Sequence, residues 1–176
     1  MKFYNKDASA IPDHSFYALT DITPGDVRAM GCKAVAIDLD NTALNDSSYR
    51  MPDSTKNWVA GMKQAGIPVA IVSNTFIHRG IYLSHCLGHI PFVAPAFKPF
   101  PLCLIIAAKR MGVKPTEVAM IGDQLFTDIL TANRINAVSV KVEPMQKEKF
   151  FVAHFKKVRR KEHSYLSDWR KSNASA

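Results

Sequence analysis

The chain has 176 residues, 47% apolar and 22% charged, ordinary values for one soluble domain with at most an appendage, and they exclude collagen-like, coiled-coil and disordered classes. Lys and Arg outnumber Asp and Glu by 23 to 15, a formal +8, and nine basic residues against three acids from Met145 onward place +6 of it in the last 32 residues. Leu102–Ala108 is far shorter than the roughly 18 apolar residues of a membrane span. The start MKFYNKDASAIPDH lacks a signal-peptide core, and Cys32, Cys86 and Cys103 suit a reducing cytoplasm rather than a disulfide framework or a zinc site.

In chain order, Thr23–Met30 (TPGDVRAM) reads as a short helix, with a capping Thr, Pro at its first position and Gly31 as its stop. Lys33–Asp40 (KAVAIDLD) is an apolar strand ending in two acids. A helix follows from about Ser54 to Ala65, then a strand at Ile67–Ser73, a helix from about Arg79 to Leu87 and a brief strand at Phe92–Ala94. Leu102–Met111 is a stronger helix closed by Gly112. After it come a strand at Val118–Ile121, a helix from about Gln124 to Asn133 and a strand at Ala137–Val142. Short apolar strands alternating with helices predict an α/β fold: a three-layer, Rossmann-like parallel sheet with helices on both faces. Ligand sites in such sheets lie at the carboxyl ends of the strands, so the residues that end strands carry the functional information.

The first apolar strand ends in Asp38-Leu39-Asp40-Asn41-Thr42. Alternation along a strand places Asp38 and Asp40 on one side, where two carboxylates in a low-dielectric cleft repel by several kcal/mol at an effective dielectric constant of about 20. A bound cation, a shared proton or wide solvation relieves that repulsion; a solvated acidic loop is the plainer alternative. Gly122-Asp123 also follows a strand, with Asp128 one turn into the next helix. Asp123 is expected to meet Asp38 across the sheet unless it merely caps its helix, and hard oxygens with open positions suit Mg²⁺. Between these signals, Ser73-Asn74 ends the second strand, with a hydroxyl and backbone N–H groups for a phosphate oxygen. Lys98 follows the next strand with an ammonium to balance the acids. Taken singly, Ser73 reads as a turn residue and Lys98 as a solvated lysine.

Four polar signals in this order, at 38–42, 73–74, 98 and 122–128, resemble the motifs of the haloacid dehalogenase (HAD) superfamily. Flanking segments such as IPDHSFYALTDITPGDVRAMGCKAVAIDLDNTAL and MGVKPTEVAMIGDQLFTDILTANR look like its YqeG-like group, subfamily IIIA. Ala43 and the approach APAFKP to the lysine depart from the usual pattern without removing a catalytic group. The resemblance implies an HAD-like fold and a Mg²⁺-dependent phosphatase working through an aspartyl-phosphate. Asp38 is then the nucleophile and Asp40 the acid–base group. The metal is held by Asp38, the Asp40 carbonyl and Asp123, with Asp128 supporting. Ser73, Lys98 and Asn74 contact phosphate, and Thr42 orients the nucleophile's loop. YqeG-like relatives in mitochondria and plants dephosphorylate phosphatidylglycerophosphate, which the resemblance offers as a substrate.

Only about ten residues (Ala43–Pro52) separate the first motif from the next helix, so a minimal cap and an open site are expected. Such a site suits a phosphate on a lipid head group or a macromolecule; a homo-oligomer would otherwise supply the lid. Residues 1–145 are expected to form the phosphatase domain with an N-terminal helical lead-in, and 146–176 a basic amphipathic tail. In the tail, Phe151, Phe155, Val158, Tyr165, Leu166 and Trp169 share a helical face interrupted by Glu162. Lys156, Lys157, Arg159, Arg160, Lys161, Arg170 and Lys171 surround it. That pattern suits peripheral docking on an anionic membrane, packing on the protein's own fold, or contact with nucleic acid or the ribosome. The last option gives the rival reading of a non-catalytic binding protein. A receiver-like domain fits the order of the acidic motifs poorly. His78, His85 and His89 are assigned no metal.

Overall fold

Every residue of Ala34–Ile37 and of Val69–Val72 is buried in a strand, as apolar runs covered on both faces require. They are adjacent interior strands of a six-stranded sheet in a computed structural model that describes residues 5–146 and 153–173, the side chains of the second segment over 158–169. In chain order the elements are β1 (His14–Phe16), α1 (Pro24–Ala29), β2 (Ala34–Ile37), α2 (Asp53–Gln64), β3 (Val69–Val72), α3 (Ile77–Cys86), β4 (Phe92–Val93), α4 (Leu102–Met111) and β5 (Val118–Gly122). A π-helical turn at Leu125–Ile129 then leads into α5 (Leu130–Asn133), followed by β6 (Val138–Val142) and α6 (Ala153–Asn173). The chain divides into two units, Met1–Met145 and Gln146–Ala176.

The sheet order is β1-β6-β5-β2-β3-β4, with every neighbouring pair parallel. Val35, Ile37, Val69, Ile71, Ala119 and Ile121 pack with Val27 of α1, Trp58, Val59 and Met62 of α2, and Leu83 of α3. The alternate residues Ala34, Ala36, Ala70, Val72, Val118 and Met120 pack with Leu104, Ala107 and Ala108 of α4 and Ala132 of α5. The period-2 alternation thus sorts two apolar helix layers onto one sheet. From β2 the chain winds outward to β3 and β4, then crosses back to β5 on the other side of β2. That reversal opens a crevice between the carboxyl ends of β2 and β5. Ile37 is in register with Ile121, and the Asp38 N–H donates to the Ile121 carbonyl at 3.0 Å, so the acids that follow both strands enter the same crevice.

The expected strands and helices are present with shifted ends, and no domain is inserted between β2 and α2 or between β3 and β4. Two elements differ. The lead-in contains a strand as well as a helix: β1 pairs with β6, and Asp13 Oδ2 accepts the Ser139 N–H and hydroxyl at 2.8 and 2.9 Å. Three edge residues, two of them exposed, carry too little alternation to announce a strand. The helix expected from Gln124 opens as a π turn, in which the N–H groups of Asp128 and Ile129 both reach the Gln124 carbonyl.

In the second unit α6 runs over Ala153–Asn173. Glu162, the acid within the expected apolar face, accepts from Arg159 at 2.9 Å one turn earlier. Phe151 lies outside the described residues, as do the side chains of Phe155, Lys156, Lys157, Arg170 and Lys171. Among the described residues no helix is long and apolar enough to cross a membrane.

Gly122 ends β5 directly beneath the π turn: a Cβ built there would lie 2.2 Å from Asp128 Cγ and 2.4 Å from its Cβ. A methyl group at this position must push a fully buried carboxylate aside. Gly122→Ala is therefore expected to destabilise by about 1–3 kcal/mol or more, read as a fall of several degrees in Tm. A wild-type Tm would contradict this packing.

Candidate active site

Lys98 is the centre of the crevice. Its side chain, 3% exposed, donates to Asp38 Oδ1 at 2.6 Å, Asp128 Oδ1 at 2.6 Å and the Val72 carbonyl at 2.9 Å. Those three bonds engage all three ammonium hydrogens. The other oxygen of Asp128 accepts the Gln124 N–H at 3.1 Å, so the π turn aims the carboxylate and caps itself. π turns of this kind recur at functional sites. Asn74 clamps the lysine from outside: its amide donates to the Lys98 carbonyl at 3.1 Å, and its Oδ1 accepts the Lys98 N–H at 2.8 Å.

Asp38, Asp123 and Asp128 are all buried, and each offers an oxygen within 4.8 Å of the others. Opposite ligands of a Mg²⁺ ion bonded at about 2.1 Å stand roughly 4.2 Å apart. Three hard oxygens at nearly this spacing, two of them on carboxylates already bonded to the Lys98 ammonium, fit a small divalent cation. Burial pushes the Asp38 carboxyl up to about 6, against the pull of Lys98 and with the added repulsion of Asp128. Lys98 is also raised: burial alone would lower it, but Asp128 and Asp38 hold it above the ordinary lysine range.

The strand-end residues gather here, with two departures from expectation, at Asp40 and Asn74. The expected cluster paired Asp38 with Asp40 and Asp123; the three acids that meet are Asp38, Asp123 and Asp128. Strand β2 stops at Ile37, so strand alternation does not extend to Asp40, and Asn41 turns the chain with φ of 59°, a conformation Asn tolerates better than most residues. The Asp40 carboxylate is 29% exposed and is gripped by Arg79 through both oxygens, at 2.8 and 2.7 Å. Any metal contact by Asp40 therefore falls to its main-chain carbonyl. Thr42 is buried and turns its hydroxyl to Asp123 Oδ1 at 3.4 Å, toward the acids. Ser73 is buried at the end of β3, where its N–H donates to the Val93 carbonyl and its carbonyl accepts the Ala96 N–H. Asn74 differs from its expected part as a phosphate contact, because both ends of its amide engage the Lys98 main chain.

Arg79 was not visible as a site residue from the sequence. The signal that could have found it is its place just after the polar Ser73-Asn74-Thr75 run that follows β3, where the Thr75 hydroxyl accepts from Arg79 at 2.9 Å. Its partner Asp40 is 39 residues away, which no local pattern reveals.

Residues 43–136 match the model of the haloacid dehalogenase-like hydrolase family. The chain is 34% identical over 148 residues to the probable phosphatase YqeG of Bacillus subtilis, a match covering 82% of this chain and 84% of that protein. A 45-residue stretch is 49% identical to glyceraldehyde 3-phosphate phosphatase of Methanopyrus kandleri, over 26% of this chain and 19% of that one. Among solved structures, a hypothetical protein from Xanthomonas campestris matches with a TM-score of 0.53 at 16% identity, over 71% of this chain and 72% of that one. An uncharacterized protein from Corynebacterium glutamicum matches with a TM-score of 0.51 at 15% identity, over 78% and 96%; both matches show a shared fold. With its strand-end acids and lysine in one crevice and these likenesses across most of its length, the chain belongs to the haloacid dehalogenase-like hydrolase family, among its YqeG-like phosphatases.

Proposed function

We propose that this hydrolase cleaves a phosphate monoester through a phosphoryl group carried on Asp38. The observation that carries the reading is the buried convergence of Asp38, Asp123, Asp128 and Lys98 at the sheet's switch point. A fold gains nothing from three buried carboxylates there unless positive charge and chemistry use them.

In this reading an Asp38 oxygen attacks phosphorus while the bond to the ester oxygen breaks, and Asp40 gives that oxygen its proton. Asp40 then takes a proton from water, the water oxygen attacks phosphorus, and the bond to Asp38 breaks to release inorganic phosphate. Ser73 and Lys98 hold phosphate oxygens, for which Lys98 exchanges one of its present partners, while Thr42 and Asn74 fix the loops that carry the nucleophile and the lysine. Asp38, the Asp40 carbonyl and Asp123, supported by Asp128, would hold Mg²⁺, which supplies neutralisation of charge on the transferring group.

For the substrate, we propose a phosphorylated lipid head group such as that of phosphatidylglycerophosphate. Support comes from the site's lack of an inserted cap and from the residues beside it. Phe76, Ile77, Phe97, Phe100 and Leu102, which follow β3 and β4 around Asn74 and Lys98, are exposed by 58 to 75%, an apolar border suited to an amphiphile. The basic helix α6 would dock the protein on anionic membranes. A purely nucleic-acid-binding role would leave the buried acids and Lys98 without a purpose.

Full-length protein is expected to hydrolyse p-nitrophenyl phosphate and phosphatidylglycerophosphate with Mg²⁺ and to lose both activities in EDTA. Asp38→Asn abolishes turnover, and Asp40→Asn, which also impairs hydrolysis of the intermediate, lowers kcat by about 10²–10⁴-fold; retained activity in Asp38→Asn would remove that residue from the role. The membrane arm is read by flotation with anionic liposomes. Full-length protein floats and a 1–145 truncation does not, whereas equal behaviour would contradict docking through α6.

A further inference from the structure

Arg79 is charged, 5% exposed and fully engaged. Its Nη1 donates to Asp40 Oδ2 at 2.8 Å and Thr75 Oγ1 at 2.9 Å; its Nη2 donates to Asp40 Oδ1 at 2.7 Å and the Ser48 carbonyl at 2.8 Å; its Nε donates to the Ser48 carbonyl at 3.1 Å. All five guanidinium hydrogens are thereby satisfied. The Tyr49 ring lies 5.7 Å from the guanidinium carbon, and the Ser47 N–H donates to Asp40 Oδ1 at 2.8 Å. One buried side chain thus ties together Asp40, the turn between β3 and α3 through Thr75, and the loop after the first motif through Ser48 and Tyr49.

We propose that Arg79 is the positioning residue of the acid–base step. It holds the Asp40 carboxylate in one orientation at the mouth of the crevice and fastens the loop around Ser47–Tyr49 to that orientation, so that proton donor and loop form one rigid piece. This rests on the reading of Asp40 as the group that protonates the ester oxygen. Arg79 itself has no free hydrogen for a substrate. A planar fork is required, because bidentate pairing fixes direction as well as charge, which a lysine ammonium at the same place does not.

A merely structural ion pair and a positioning residue differ in one measurable way. A p-nitrophenolate ion leaves without a proton, while a phenolate without electron-withdrawing groups gains far more from one. The ratio of kcat/KM between p-nitrophenyl phosphate and phenyl phosphate therefore reports how well the proton donor is placed, and kcat/KM stops short of the hydrolysis step common to both esters. Arg79→Lys is expected to lose about 10²-fold on phenyl phosphate and only a small factor on p-nitrophenyl phosphate. Asp40→Asn shows the same selectivity, and the double variant falls no further than Asp40→Asn alone. Equal loss on both esters in Arg79→Lys, beside a selective loss in Asp40→Asn, overturns the positioning role alone. Equal loss in Asp40→Asn overturns the acid–base reading itself. Thr75→Val, which removes only the hydroxyl that orients the guanidinium, gives the same selectivity at smaller amplitude if Arg79→Lys fails to fold, and an unselective Thr75→Val then counts against the proposal.

Discussion

Three carboxylates share one buried crevice with the Lys98 ammonium, and most of the structure near the site can be understood as the means of tolerating that. Desolvation and mutual repulsion act against ionising Asp38, whose carboxyl sits near 6. Lys98 offsets part of this by bridging Asp38 and Asp128, and removal of one partner from such a buried pair typically costs about 3–5 kcal/mol. In the proposed mechanism the negative charge of this cluster holds a divalent cation and the phosphate it accompanies. A nucleophile must be ionised to attack, so on that proposal the same charge cluster that burdens the fold couples cation binding to reactivity.

The backbone supplies the geometry. Winding outward from β2 to β4 and back to β5 leaves two neighbouring strands with diverging connections, and each is followed directly by an acid. Gly122 clears the space for Asp128, and the π turn over Leu125–Ile129 rotates that carboxylate toward Lys98 while its second oxygen caps Gln124. Asn74 fixes the loop that bears Lys98. At the mouth Arg79 performs the corresponding service for Asp40. The floor of the site is therefore held by charge and the mouth by a bidentate fork, two mechanisms on two sets of residues.

Much of this was legible in the sequence because it is local. Four-residue apolar runs such as AVAI and VAIV announce strands buried on both faces, and polar residues that interrupt them mark strand ends, where α/β sheets place their ligands. Asp38, Ser73 and Asp123 stand out in this way, Lys98 as the cation after the next strand and Asp128 by its place one turn beyond Asp123. What escaped was non-local or too short. The β1 edge strand depends on β6 for its existence. The Arg79–Asp40 pair joins residues that no periodicity relates, and it draws Asp40 away from the acids it was expected to join. The amide of Asn74 looked available for a ligand until its two partners on the Lys98 main chain were in view. The π turn has the composition of an ordinary helix; what distinguishes it is the close approach of Asp128 to Gly122.

The central claim is that Asp38 itself carries the phosphoryl group. It is tested most directly by mixing enzyme, Mg²⁺ and a fast-leaving aryl phosphate for a single turnover, quenching in acid and mapping the modified peptide by mass spectrometry. The account predicts a transient, hydroxylamine-sensitive phosphoryl group on Asp38 that forms before inorganic phosphate appears and decays as it accumulates. Turnover with the phosphoryl group on another side chain, or with none on the protein at any time, would contradict it.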